Sequence, residues 1–236
     1  MTSAMQPFYL GDIINEKLAD KSLRKGEKTK LKLMLGTIKM LRKVTFKQLR
    51  IADICKEAKV SYGVFYHYHQ DKIEVTALLI EMFIQEFNSR FSYSEITDDH
   101  YFNIFMANYY YVGCFKHNAG LIQVIISNHE EMPDLIDKYH ELARVWHERV
   151  AKALPDSLAG QKLDDDERLF VAYTLGGMLD ELLRQINILK NPNLKVFENT
   201  KDIKQITQLL SILWFRAVYG EDPSKESLKL ALDKLS

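Results

Sequence analysis

Apolar residues recur at every third or fourth position along most of the chain, a spacing that puts them on one face of an α-helix. In the first part of the chain this spacing predicts helices at about 8–20, 29–43, 50–58, 62–68 and 71–91. In the remainder it predicts helices at about 98–116, 121–127, 133–154, 164–189 and 200–219, and a short one after Asp222-Pro223. No strand pattern competes with these helices, so we expect an all-α fold.

Residues between the apolar runs predict where several helices begin. Thr29, Ser61 and Asp71 can each cap the helix that follows, because a side-chain oxygen accepts a hydrogen bond from a free backbone N–H. Residues 21–28 have the composition of a basic, flexible arm, and residues 155–163 that of a loop.

Residues 46–72 combine short elements in an order that the rest of the chain does not repeat. A short helix is followed by a tight turn at Lys59-Val60, then by a helix of about two turns from Tyr62 to Tyr68, and then by a long helix. In a helix-turn-helix motif the second helix enters the DNA major groove with its N-terminal end, while the first packs across its back. The order of elements therefore favours DNA binding.

The charges are distributed unevenly, although the net charge of the chain is zero. Between Lys21 and Lys59 the chain has 13 lysines and arginines but only three acidic residues. A basic segment of this kind suits a polyanion, since binding to phosphates releases counterions. A solvated lysine-rich helix face is the alternative interpretation of the charge pattern alone.

The aromatic stretch Val60 to Lys72 also permits other interpretations. As a metal site it is unfavourable, because His67 and His69 point about 200° apart on a helix. As a core segment it is partly reasonable, since Phe65 and Tyr68 are expected to face inward.

The run from Phe46 to Lys72 resembles the helix-turn-helix signature of the TetR family of bacterial transcription regulators. That signature has an aromatic residue after the first helix, then I-A, then A-G-V-S-x-G-x-[LIF]-Y-x-[YH]-F and a lysine opening the next helix. The run covers 27 of the 236 residues, about a ninth of the chain. The matching residues are Phe46, Ile51, Ile54, Ala58, Val60, Ser61, Gly63, Phe65, Tyr66 and Lys72.

Four departures from the family pattern have physical consequences. Lys59 replaces the turn glycine, at a cost of about 1 kcal/mol if the backbone there is left-handed. Cys55 replaces a common alanine, and Leu49-Arg50 replaces a hydroxyl-bearing cap. His69 replaces a core phenylalanine, which leaves that packing position open.

The resemblance implies three segments and a set of DNA contacts. Residues 1–28 would be an N-terminal extension with the basic arm, 29–72 a three-helix DNA-binding domain, and 73–236 a helical effector-binding and dimerisation domain. Tyr62, Gly63 and Val64 would face bases, and Tyr66, His67 and Lys72 would approach phosphates.

Side-chain chemistry adds further expected contacts. The Ser61 end of the helix offers free N–H groups to phosphate, and Lys30, Lys47 and Arg50 are expected phosphate contacts. The two-turn helix has no Arg, Asn or Gln, so specificity would depend on Tyr62, on DNA shape, or on Arg24 and Lys25 in the arm.

For the remainder of the chain, composition favours a buried helix at 98–116 and apolar stripes on two later helices. Core packing is the default interpretation of these residues, and the alternative is a largely apolar effector pocket, whose ligand we expect to be lipid-like or aromatic. The expected pocket residues are Phe102, Phe105, Met106, Tyr109, Tyr110 and Trp146. The expected residues of a homodimer interface are Leu175, Leu179, Leu182, Leu183, Leu210 and Trp214.

Other classes of function are less favoured. Nucleophile and phosphate-loop signatures are absent from the sequence, so we expect neither an enzyme nor a bound cofactor or metal. There is no readable signal peptide or membrane-length apolar run, and the two cysteines suit a reducing compartment, so we expect a cytoplasmic protein. The sequence thus predicts a ligand-responsive homodimeric repressor on palindromic double-stranded DNA, or alternatively a regulator whose helical body is controlled by a protein partner.

Overall fold

The computed structural model of the chain describes residues 6–90, 97–127, 133–199 and 202–235. Within these ranges the chain is mostly helical, which confirms the predicted all-α class. The elements are α1 (Leu10–Ala19), α2 (Lys25–Leu41), α3 (Ile51–Ala58), α4 (Tyr62–Tyr68), α5 (Lys72–Arg90), α6 (His100–His117), α7 (Ala119–Ser127), α8 (Pro133–Ala153), β1 (Ser157–Leu158), β2 (Gln161–Lys162), α9 (Asp165–Asn187), a 3-10 helix (Pro192–Leu194), α10 (Lys195–Asn199), α11 (Ile203–Tyr219) and α12 (Lys225–Asp233).

Contacts between Cα atoms divide the chain into two compact units. The N-terminal unit consists of Phe8–Phe87 and His117–Glu141, and the C-terminal unit consists of Met1–Pro7, Asn88–Lys116 and Leu142–Ser236. The segment 29–72 lies inside the N-terminal unit together with the residues on either side of it. The predicted limits at 28 and 72 divide the chain by function and do not coincide with the limits of the compact units. They stay a prediction.

The core of the N-terminal unit forms where α2 packs against α1 and α3, and α3 against α4. Its fully buried side chains include Leu33 of α2, Ile54 of α3 and Phe65 of α4. Burying such a side chain contributes about 1.5–3 kcal/mol, so these few contacts are enough to fix three short helices against one another.

Helix α1 also belongs to this unit, through Leu10 and Ile14, which have no accessible surface. Asn118 holds the chain just before α1 in two directions. Its Oδ1 accepts from the N–H of Leu10 at 2.9 Å, and its Nδ2 donates to the carbonyl of Phe8 at 2.8 Å.

The start of α2 differs from the prediction. The helix begins at Lys25 rather than at Thr29, and the hydroxyl of Thr29 donates to the carbonyl of Lys25 from inside the helix. The carboxylate of Glu27 accepts from the backbone N–H of Arg24 at 2.8 Å, and this bond closes the first turn. The prediction of a flexible arm over 21–28 is therefore wrong for its last four residues.

The core of the C-terminal unit is built from α6, α9 and α11. Tyr101, Phe105 and Tyr110 of α6 have almost no accessible surface, and Asn108 donates to the hydroxyl of Ser211 at 3.1 Å inside this core. Asp164 accepts from the N–H of Glu167 at the start of α9, as an N-cap does.

Several boundaries depart from the predicted ones. The predicted loop at 155–163 contains a hairpin in which Ser157 pairs with Lys162, and α10 was not predicted. The last helix takes its cap from Ser224 rather than from Asp222-Pro223. The predicted ends at Phe91 and Thr200 lie outside the described residues. Nowhere in the described ranges is a helix both long and apolar enough to cross a bilayer.

Candidate nucleic-acid interface

Helix α4 has one inward side chain and an open outer face. Phe65 is fully buried, as predicted, whereas Tyr62, Gly63, Tyr66 and His67 are exposed. The fully buried ring of Phe65 and the half-buried ring of Tyr68 hold this two-turn helix, and most of its remaining surface faces solvent. Ser61 sits at the N-cap position without a side-chain hydrogen bond to the helix, so its exposed hydroxyl is available to a partner.

Tyr62 and Tyr66 form a pair on that outer face. Tyr62 is 53% exposed and Tyr66 is 50% exposed, yet their ring centroids lie 5.3 Å apart in an edge-to-face arrangement. Their phenol oxygens are 3.2 Å apart, which is hydrogen-bond distance, and this bond raises the pKa of Tyr66. The two rings support each other, so a partner would meet a pre-ordered pair of phenols.

Gly63, beside this pair, has no internal reason to be a glycine. A Cβ at this position would meet no atom within 4 Å. Glycine inside a helix is less stable than alanine by about 0.5–1 kcal/mol, so the packing of the chain would favour a larger residue. The missing side chain instead leaves the backbone of α4 open to close approach from outside.

A cleft of about 420 Å³ lies between the start of α2 and helix α4. Its walls are formed by Lys25, Gly26, Thr29, Ser61, Gly63, Val64, His67 and Tyr68. The ammonium of Lys25 and the positive end of the α2 dipole lie on this side of the cleft, where the carboxylate of Glu27 caps the first turn. The cleft therefore suits a phosphate, and it brings a residue of the basic arm next to the predicted base-facing residues.

The other predicted phosphate contacts are exposed cations. Lys30 and Lys47 are exposed, and the side chain of Arg50 is 79% exposed although its Nε donates to Asp53 at 2.9 Å. An ion pair this exposed contributes little to stability, so Arg50 can exchange Asp53 for a phosphate at small cost.

Lys72 has a structural role that sequence reasoning missed. Its ammonium donates to the carbonyl of Phe46 at 2.8 Å and to that of Leu49 at 3.1 Å, and it lies 4.6 Å from the centre of the Phe46 ring. The side chain thus fixes the turn before α3 from the start of α5. Its contact with phosphate stays a prediction.

The turn between α3 and α4 confirms the expectation of a left-handed residue. Lys59 has φ 55° and ψ 46°, and the N–H of Val60 donates to the carbonyl of Cys55 at 3.0 Å. This is the hydrogen-bond pattern of a Schellman ending, in which glycine is the usual residue. A lysine there costs about 1 kcal/mol, and the turn keeps its shape nevertheless.

His69 fills the packing position that the sequence left open. It is 1% exposed, and neither ring nitrogen has a hydrogen-bond partner among the described residues. The nearest carboxylate oxygen, from Glu74, lies 3.6 Å from Nδ1, which is too long for an ordinary hydrogen bond. Burial lowers the pKa of His69, and the negative charge of Glu74 acts in the opposite direction. The ring is therefore packed as a neutral aromatic group against Phe65.

The predicted pocket residues lie in the C-terminal unit. Phe102, Phe105, Met106 and Tyr110 are buried, whereas Tyr109 and Trp146 are half-buried. The fold brings Tyr110 and Trp146 together from different helices, with ring centroids 6.5 Å apart. These contacts are compatible with plain core as well as with a pocket wall.

The predicted dimer residues lie mostly inside the single chain, and their role in a dimer stays a prediction. Leu182 is half-buried, and the other five side chains are buried within the single chain, at Leu175, Leu179, Leu183, Leu210 and Trp214. A side chain that the chain itself covers so fully adds little surface to contact with a second copy. The exposed faces of the same two helices carry Phe170 and Met178 on α9 and Leu209 and Leu213 on α11.

Sequence reasoning also missed a polar cluster in the C-terminal unit. The phenol of Tyr111 donates to the carboxylate of Asp180, and the ring of His147 stacks on that of Tyr173 with a centroid distance of 3.8 Å. Asp180 lies at helical spacing from the apolar residues of α9. A carboxylate at such a position was the sequence signal that could have indicated this cluster.

The described residues contain no group of three His, Cys, Asp or Glu side chains able to hold a metal ion. Neither a protein-family model nor a curated protein matches the sequence.

Proposed function

We propose that the chain is a DNA-binding transcription regulator of the TetR kind that works as a homodimer. The observation that carries the proposal is the outer face of α4, where two ordered phenols flank a glycine that internal packing does not require. Such a face suits a partner that must come close to the helix backbone, as the edges of bases do in the major groove. A regulator of this kind acts in the cytoplasm, where the DNA is.

The charges around this face support DNA rather than protein as the partner. Lys25 lines the cleft beside α4, and Lys47 and Arg50 are exposed in the neighbouring turn. Contacts from cations to phosphate fix the orientation of a protein on the duplex, while the residues between them read the bases. Tyr62, Gly63 and Val64 are our proposed base-facing residues, flanked by Ser61, Tyr66 and His67.

The proposed dimer uses the exposed apolar residues of α9 and α11. Phe170 is 71% exposed, which is unusual for a ring of this size on a single chain. Pairing of these faces in two copies would remove the apolar surface from water and supply two α4 helices. Copies of α4 spaced about 34–36 Å apart would fit successive major grooves of a palindromic site.

In this proposal an effector bound among α6, α8 and α9 controls DNA binding. The two conformations of the dimer would differ in the spacing of the two α4 helices. A ligand that binds one conformation better shifts the population toward that conformation. Release of the repressor from DNA follows if the favoured spacing no longer fits the operator.

Control by a protein partner is the second candidate, and one surface favours it. A cleft of about 410 Å³ between α2 and α5 has an apolar floor formed by Leu31, Met34, Leu78 and Met82. Methionine-rich surfaces adapt to different partners, and a partner seated here would touch the same helix α2 that supports α4.

The experiment is selection of binding sites from a random duplex library, followed by fluorescence anisotropy at several salt concentrations. We expect an enriched palindrome and a steep loss of affinity with salt, because several phosphates are contacted. Tyr66→Ala should weaken binding at least about tenfold while the protein stays folded. The matched control is Leu230→Ala, which removes an exposed apolar side chain from α12 in the C-terminal unit. No enriched sequence, or equal affinity for both variants, would refute the proposal.

A further inference from the structure

The carboxylate of Asp180 lies in an environment that is unusual for a charged group. The helix α9 presents it to an aromatic neighbourhood from α6 and α8, where the phenol of Tyr111 donates to its Oδ1. No other hydrogen bond and no ion pair reach Asp180 from the described residues, so its Oδ2 carries an open acceptor position. Burial raises the pKa of this carboxyl, and the hydrogen bond from Tyr111 acts against that rise.

The imidazole of His147 turns a second acceptor toward the same helix. Its Nδ1 lies 3.0 Å from the carbonyl of Ala143, and since a carbonyl only accepts, Nδ1 carries the proton. In the neutral ring Nε2 is then left with its lone pair. Burial lowers the pKa of His147, which favours this neutral form. A Cβ at Gly176 would lie 2.9 Å from Nε2, so the glycine is what permits the imidazole to approach α9 this closely.

Two stacked ring pairs adjoin these two acceptors, and each pair has its outer faces left for a ligand. The ring of Tyr111 stacks on that of Trp146 at a centroid distance of 6.1 Å, and His147 is parallel to Tyr173 within 6°. Aromatic faces carry negative potential, and a cation within about 6 Å of such a face is attracted to it. The site therefore combines one carboxylate, one lone pair and several π-faces, all of which favour positive charge.

The cluster is also accessible from outside. Tyr111, Trp146, His147 and Asp180 are half-buried, and Tyr173 is exposed. A ligand can therefore reach the carboxylate without unfolding the core. The described residues provide too few donor side chains in one place for a metal ion, which leaves an organic cation as the suitable occupant.

We propose that Asp180, together with Tyr111, Trp146 and His147, forms a binding site for a small organic cation such as an aromatic or alkyl ammonium. The proposal rests on the proposed function in one respect, because it names the chemical class of the effector. It narrows the lipid-like or aromatic effector expected from the sequence to one that carries a positive charge.

The test is a thermal-shift titration of the purified full chain with choline, a quaternary alkyl ammonium, and with its uncharged, water-soluble isostere 3,3-dimethylbutan-1-ol. A ligand that binds only the folded state raises the Tm with concentration, so even a millimolar Kd gives a measurable shift at about 10 mM. We expect the cation to raise the Tm and the isostere to raise it much less.

Asp180→Asn removes the charge and keeps the shape and an acceptor for Tyr111. The matched control is Glu181→Gln, which removes the adjacent, exposed carboxylate that pairs with Arg184. We expect Asp180→Asn to weaken cation binding at least about tenfold and Glu181→Gln to leave it unchanged. Equal shifts from the isostere, full binding by Asp180→Asn, or no shift with the wild-type protein would overturn the site.

DNA binding is measured separately on the same samples, so that the two proposals fail in different ways. If the protein binds the cation but not DNA, the proposed function as a regulator is wrong and the proposed cation site stands. If the protein binds DNA but not the cation, the proposed cation site is wrong and the proposed function as a regulator stands. If the cation binds and also lowers the affinity for DNA, both are supported.

Discussion

Helices α4 and α6 are both rich in tyrosine, yet they use it in opposite ways. On α4, Tyr62 and Tyr66 keep half of their surface in water, whereas on α6 Tyr101 and Tyr110 keep almost none. The difference follows from the surroundings of each helix. Helix α4 has only two turns, held by Phe65, so the rings of Tyr62 and Tyr66 stay exposed. The five turns of α6 are packed on several sides. A tyrosine-rich segment is therefore a candidate binding surface only where its helix has few neighbours.

The largest expected effect contrasts one tyrosine from each helix. Tyr110→Ala should lower the free energy of unfolding by about 3–5 kcal/mol, because it leaves a cavity in the core. Tyr62→Ala should change it by about 0.5–1 kcal/mol, since the ring is half in water. Urea denaturation monitored by circular dichroism measures both. Similar losses for the two variants would mean that the two helices do not differ in the way described.

A smaller effect is expected from Lys72, whose ammonium is used internally. Lys72→Met keeps the apolar stem and removes two hydrogen bonds to backbone carbonyls, so we expect a loss of about 1–3 kcal/mol. The matched control is Lys47→Met, an exposed cation in the same turn, with an expected change below about 0.5 kcal/mol. If the denaturation curves of the two variants coincide, the internal contacts of Lys72 contribute nothing to the free energy of unfolding.

The third effect concerns His69 and depends on pH. Because the folded-state pKa of His69 is lowered, the unfolded chain binds more protons below pH about 6.5. The wild-type protein should therefore lose stability as the pH falls from about 6.5 through the lowered pKa. His69→Phe should remove that part of the loss and raise stability by about 1 kcal/mol at neutral pH, since two unpaired ring nitrogens disappear. Unfolding curves at pH 5.5 and pH 8 measure the effect, and an unchanged pH dependence would contradict it.

Much of the fold was predictable because helices carry local signals. Apolar spacing gave the bounds of α4 without error, and Ser61 and Asp71 marked the right places for helix starts. The start of α2 was not predictable in the same way. There Thr29 has the residue type of a cap, but Glu27 closes a turn that begins earlier, through a hydrogen bond to the N–H of Arg24.

Features that depend on distant parts of the chain were not predictable. The contact of Lys72 with the carbonyls of Phe46 and Leu49 spans more than twenty residues, so no local pattern shows it. The dimer residues stay a prediction for a related reason. An apolar stripe on a helix does not say whether the chain itself or a second copy covers it, and here Leu179 and Leu183 are covered by the chain.

One measurement tests the central claim most directly, and it uses the smallest change in the chain. Gly63→Ala adds a single methyl group to α4 in open space. We predict that stability rises by about 0.5–1 kcal/mol while affinity for the selected duplex falls about tenfold, because the methyl group blocks close approach of the backbone to the bases. A variant that is more stable and binds DNA as well as the wild-type protein would show that the outer face of α4 is not the DNA-binding surface.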